Sequence, residues 1–168
     1  MNSRLFAMVA TALLISVGGA AAQDKANQKF ITEAIEGNYA EVQMGQLAQK
    51  NGQSEAVKSF GQMLTQDHGS ANDKAIKAAQ DIGASPPTGP SAKQKSEYDK
   101  MAKMSGAAFD KAFAQHMVAD HKKDIAEYQK AAKRTDAAGK YAADALPTLQ
   151  KHLQTAQSLQ SKSTTGSR

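Results

Sequence analysis

The chain contains no cysteine. Disulfides, thiol nucleophiles, thiolate metal ligands and lipid attachment at a cysteine are therefore excluded. It has no Trp, five Phe and four Tyr in 168 residues, so few large rings are available to build a core. Beyond the N-terminus, no stretch approaches the ~20 consecutive apolar residues that a membrane-spanning helix needs. Concentrated charge of one sign is also missing. The formal net charge is +5, but the lysines alternate with Glu, Asp and Gln, as at Lys93-Gln94-Lys95 and Lys122-Lys123-Asp124. Without a basic block interleaved with aromatics or a one-sided Lys/Arg stripe, nucleic-acid binding is not expected. Covalent catalysis has no candidate either, because no Ser/His/Asp or Cys/His arrangement sits in a strand–turn–helix context.

What is present begins with a leader. Arg4 supplies a positive start, Leu5 to Val17 is an almost unbroken apolar run, and Ala20-Ala21-Ala22 before Gln23 reads as a small-residue cleavage site. Residues 1–22 are accordingly expected to be a signal peptide cleaved near Ala22. Residues 23–160 then form one helical domain, followed by a disordered polar tail over 161–168. An export signal without cysteine points to a soluble protein of a bacterial periplasm. The remaining sequence is rich in Ala, which lets helices approach closely and favours a compact bundle.

Helical periodicity divides the domain. The first helix is expected from about Asp24 or Asn27 to Lys50, with Phe30, Ala34, Gly37, Glu41, Met44 and Ala48 as one stripe and Ile31, Ile35, Asn38, Val42 and Gly45 beside it. Asn51-Gly52 is a stop, and Ser54 a natural cap for a second helix from Glu55 to Ile82. Pro86, Pro87 and Pro90 then forbid continuation. A short helix between Ser91 and Lys103 is expected inside this long crossover. A third long helix should span about Ala107 to Lys133. A fourth should run from near Asp136 to Leu159, with Pro147 kinking or restarting it. Two hairpins joined by a long crossover give the up-down-down-up order of an all-α, ferritin-like four-helix bundle with a short extra helix in the crossover.

Two segments resemble each other, Phe60-Gly61-Gln62-Met63-Leu64-Thr65-Gln66-Asp67-His68 and Phe113-Ala114-Gln115-His116-Met117-Val118-Ala119-Asp120-His121. At 3.6 residues per turn, Phe60, Leu64 and His68 share a face, as do Phe113, Met117 and His121, so both histidines point with the apolar side chains. His152 lies on the apolar stripe of the fourth long helix with Ala145, Leu149 and Ala156. Counted along the bundle axis at 1.5 Å per residue, Glu41, His68, His116, His121 and His152 fall within about 10 Å of one another. Buried imidazole needs partners, since an unpaired polar group in a core costs about 1–3 kcal/mol. Two readings stay open. The preferred one is a hydrogen-bonded network fixing helix register in an exported, non-enzymatic protein, a monomer or weak homodimer without a transmembrane segment in the mature chain. The alternative is a divalent metal site (Fe, Mn, Zn or Cu), or a metal-dependent oxidoreductase. Its ligands would be Glu41, His68, His121 and His152, with Asp67, Asp120 and His116 outside them. The Glu-x-x-His pairs of carboxylate-bridged di-metal bundles are missing, because Thr65, Val118 and Leu149 stand three residues before His68, His121 and His152.

Phe30 onward with Glu41, the Phe60–His68 segment, Ser105-Gly106-Ala107-Ala108-Phe109-Asp110, Met117 to His121, and Leu146-Pro147-Thr148-Leu149-Gln150-Lys151-His152 together resemble a bacterial exported family called domain of unknown function 4142. The resemblance covers about Asn27 to Leu159. It implies a ferritin-like bundle and an envelope location, with no activity to carry over; the role expected of the chain itself is that of a non-enzymatic envelope protein connected with stress tolerance. That family is often labelled an outer membrane protein, yet amphipathic helices without lipid-facing strands read better as soluble and periplasmic.

Overall fold

The computed structural model describes residues 17–165, with side chains described for residues 24–162. Within these residues five helices follow one another: α1 (Val17–Asn51), α2 (Glu55–Asp81), α3 (Ala92–Met101), α4 (Gly106–Ala131) and α5 (Ala137–Thr165). Most of the expected signal peptide lies outside the described residues, and α1 takes in its last residues, 17–22, without a break. At the other end α5 stays helical past Leu159 to Thr165, through part of the stretch expected to fray.

The breaks fall where local chemistry puts them. Ser54 caps α2 by accepting from the Val57 N–H. Ser91 and Gln94 form a reciprocal capping box at the start of α3. Gly83 ends the second helix with a positive φ of 69°, a backbone state that glycine adopts without a Cβ penalty. Pro147 does not restart the last helix: α5 runs through it, and its exposed position leaves the released carbonyl open to water.

Contacts at the ends fix the direction of each helix. Asp110, near the start of α4, accepts from the Gln53 and Ser54 N–H groups at 2.8 and 2.9 Å, and Asn51 Nδ2 donates to the Met104 carbonyl at 2.8 Å. At the far end Asn27 of α1 meets Asp136, just past α4. The long helices therefore run up, down, down and up, with α1 against α2, α4 against α5, α2 against α5, and the short α3 in the crossover.

The core is split in two. One cluster is built on Met44, Leu47, Phe60, Leu64, Phe109, Phe113, Met117 and Leu159. The other is built on Phe30, Ile31, Ile35, Ala75, Tyr128, Tyr141 and Leu149. Between them every long helix contributes buried polar side chains: Asn38 and Glu41 from α1, His68 and Asn72 from α2, His121 from α4 and His152 from α5. On each helix the apolar stripe continues above and below this layer, so the interruption belongs to the architecture and not to a frayed end.

Candidate metal centre

His68, His121 and His152 arrive from three helices, and each is at most 5% exposed. Their ring centroids are 5.2 to 5.8 Å apart. One nitrogen of each ring lies within 4.8 Å of the corresponding nitrogens of the other two.

The other nitrogen of each ring meets an oxygen. His68 Nδ1 is 2.9 Å from Asn38 Oδ1, His121 Nδ1 is 3.0 Å from the Met117 carbonyl, and His152 Nε2 is 2.8 Å from Asp67 Oδ2. A carbonyl can only accept, so His121 carries its proton on Nδ1. The Asn38 amide is oriented by Nδ2, which donates to the Tyr141 hydroxyl at 2.9 Å, leaving Oδ1 to accept from His68. Tyr128 and Tyr141 extend this chain with their hydroxyls 3.3 Å apart. Burial pushes the pKa of all three imidazoles below its ordinary value: well below for His68, and to about 4 for His121, where His152 adds to the effect. For His152 the Asp67 carboxylate opposes that shift without reversing it.

Three neutral rings hold three N–H groups, and three oxygens accept them. The remaining nitrogens, His68 Nε2, His121 Nε2 and His152 Nδ1, are bare lone pairs facing a common space. His68 Nε2 has no hydrogen-bond partner among the described residues. His121 Nε2 and His152 Nδ1 face each other at 3.3 Å. With His152 donating to Asp67, neither of these two nitrogens has a proton to give the other.

The candidates predicted from sequence therefore separate. His68, His121 and His152 converge, and Asp67 meets His152 on the side away from the other two rings. Glu41 is buried in the same layer but is not part of the three-imidazole group. Asn38, one turn before Glu41 on α1, is the residue that meets His68. Glu41 instead meets the carboxyl of Asp120, and desolvation followed by the nearby Asp120 and Asp124 charges lifts its pKa well above the ordinary value. His116 is half-buried and lines a narrow recess with Glu41 and Asp120. Sequence reasoning missed the orienting role of Asn38 and the hydroxyl pair of Tyr128 and Tyr141. The only signal for them was their place at or beside the apolar stripes.

Two clefts reach the layer from opposite sides. One, of about 440 Å³, lies between α2 and α5 and includes His68, His152 and Asp67 in its walls. The other, of about 520 Å³, opens on the α1, α3 and α4 side and touches His68 but not His152.

Fold and site together define a class: an all-helical bundle whose core is divided by a buried three-imidazole layer. The chain belongs to the family described as domain of unknown function (DUF4142), whose model matches residues 15–159. No curated protein and no solved structure matches the chain. Among the described residues no helix is long and apolar enough to cross a membrane.

Proposed function

We propose that this protein is an exported, extracytoplasmic metal-binding protein whose His68, His121 and His152 hold one transition-metal ion. The supporting observation is that one nitrogen of each ring meets an oxygen, which assigns the proton to that outer nitrogen. Each ring donates outward to an oxygen, as metal-bound histidines characteristically do, and each turns a bare nitrogen inward. Metal–nitrogen bonds of about 2.0–2.1 Å at tetrahedral angles put neighbouring ligand nitrogens about 3.3 Å apart. His121 Nε2 and His152 Nδ1 already stand at 3.3 Å. One ring nitrogen of each histidine lies within 4.8 Å of those of the other two, so an inward shift of the His68 ring on the order of 1.5 Å closes the set.

A hydrogen-bonded network accounts for the layer less well, because it leaves His68 Nε2 without a partner and sets two lone pairs against each other. Three neutral nitrogen ligands favour Zn(II) or Cu(II) over Mn(II), which prefers oxygen. The leader over residues 1–22 supports export to the periplasm, where such an ion is met without competing cytoplasmic thiols.

The test is metal analysis of tag-free protein together with thermal melts. Wild type should bind one Zn(II) per chain and gain about 4 kcal/mol of stability when the free ion is a thousandfold above Kd. His121→Leu and His152→Leu should bind none and gain nothing. Equal responses to Zn(II) and Cu(II) in wild type and both variants would remove the proposal.

A further inference from the structure

We infer that the metal position of this layer takes a small anion as its exchangeable ligand, admitted through the cleft between α2 and α5. This rests on the three-histidine metal reading above. Three protein ligands leave a tetrahedral ion one open position. Neutral imidazoles add no charge, so a divalent ion keeps its full charge within its protein ligands. Among the described residues, Asp67 is the one carboxylate hydrogen-bonded to any of the three rings. An anion in the open position offsets the desolvation cost of that charge.

The two clefts differ in what they admit. The wall on the α1, α3 and α4 side carries Glu33, Glu36, Glu97, Asp120, Asp124 and Glu127 against only Lys93 and Lys123. That surface repels anions. The α2/α5 cleft has Lys74, Lys77 and Lys140 at its rim. Its three carboxylates, Asp67, Asp81 and Asp144, balance those three lysines, so this wall is formally neutral where the opposite one carries six acids against two lysines. Its inner wall is apolar, with Ala78, Ala145, Leu149 and Tyr141 leading to His68 and His152. Low dielectric along that wall strengthens the pull of a cation at its end. A second cluster, the Glu41–Asp120 carboxyl pair, does not bring three ligand atoms together and plays no part in this reading.

The probe is azide added to full-length mature protein loaded with Co(II), whose visible absorption reports its coordination. A saturable spectral change should appear in wild type. Combined Lys74→Glu and Lys140→Glu, both at exposed positions, should weaken azide binding roughly threefold or more at low salt, and the difference should shrink as salt is raised. Lys93→Glu, on the opposite cleft, should leave the affinity within experimental error of wild type. Protein that carries stoichiometric Co(II) yet gives no azide response overturns this inference alone. So does an affinity unchanged by the paired lysine reversal, or lowered as much by Lys93→Glu. Protein that takes up no Co(II) overturns the metal reading and this inference with it, and metal analysis distinguishes the two failures.

Discussion

Asn38 occupies the position on α1 that faces His68, and its amide spans two partners, accepting from the imidazole and donating to Tyr141. Replacing it with leucine leaves the His68 Nδ1–H with no acceptor and removes a donor from the tyrosine pair. In metal-free protein Asn38→Leu should cost about 1–3 kcal/mol in urea unfolding, the usual penalty for a buried group losing its partner. Zn(II) affinity, read by competition with a chromophoric chelator, should fall roughly 10–100-fold, as it does when the group orienting a ligating histidine is removed. A stability loss with unchanged affinity would show that Asn38 only fills the core. Asp67 is partly exposed, with 38% of its side chain open to solvent, so Asp67→Ala should cost less stability while still lowering Zn(II) affinity. The sequence placed all three histidines on inward faces because periodicity fixes direction. It could not rank Asn38 above Glu41, because both lie on the buried side of α1 and counting residues along an axis does not fix which neighbour each side chain meets.

At the scale of helices, α1 and α2 touch through backbone. A Cβ added at Gly45 would sit 2.5 Å from the Gly61 carbonyl oxygen, and one added at Gly61 would sit 2.5 Å from the Gly45 oxygen. Both contacts are with main chain, which cannot rotate away, so the helices must separate. Gly45→Ala and Gly61→Ala should each destabilise by about 1–3 kcal/mol despite better helix propensity. Gly69 is the internal control: it is on α2, and a Cβ there meets nothing within 4 Å. Gly69→Ala should stabilise by about 0.5–1 kcal/mol, the ordinary gain for replacing a mid-helix glycine. Melting temperatures of the three variants check both signs at once. This close approach was only partly legible. The Ala-rich composition announced small-residue packing, and the stripes, the Asn51-Gly52 turn and the Pro86 to Pro90 break located the helices within a few residues. The pairing of Gly45 with Gly61 is a matter of rotation between two helices, which no single-helix pattern contains. The continuity of α5 through Pro147 was hidden for a related reason: on an exposed face water can satisfy the freed carbonyl and lower the cost of running the helix through a proline, and which face is exposed depends on the neighbouring helices.

Across the whole molecule, the buried layer carries acids on one side and imidazoles on the other, with pKa values shifted in opposite directions. Asp124 shows the acidic side most plainly. Desolvation first, and then the Asp120 charge, lift its carboxyl to about 7, with Lys123 pulling the other way and Glu127 adding to the rise. Glu41, which meets Asp120 from α1, is raised by desolvation first and then by the Asp120 and Asp124 charges. A carboxyl with a raised folded-state pKa holds its proton longer in the native protein than in the unfolded chain. The native state therefore binds more protons between the ordinary value of 3.8 and about 7, and stability falls as pH rises through that window. Above about 7 the loss is complete and constant, and below about 4 it vanishes. Asp124→Asn removes this penalty while keeping the shape. It also gives up a 3.9 Å contact with Lys123 that is too exposed to matter much. The variant should match wild type at pH 4, gain progressively from pH 4 to 7, and reach a plateau on the order of 2 kcal/mol above wild type at pH 8. Urea unfolding of both proteins in metal-free buffer across pH 4 to 8 measures the difference directly. A gain that is constant with pH would place the effect in packing, and a gain that shrinks toward pH 8 would mean that Asp124 is ionised and favourably paired in the native bundle.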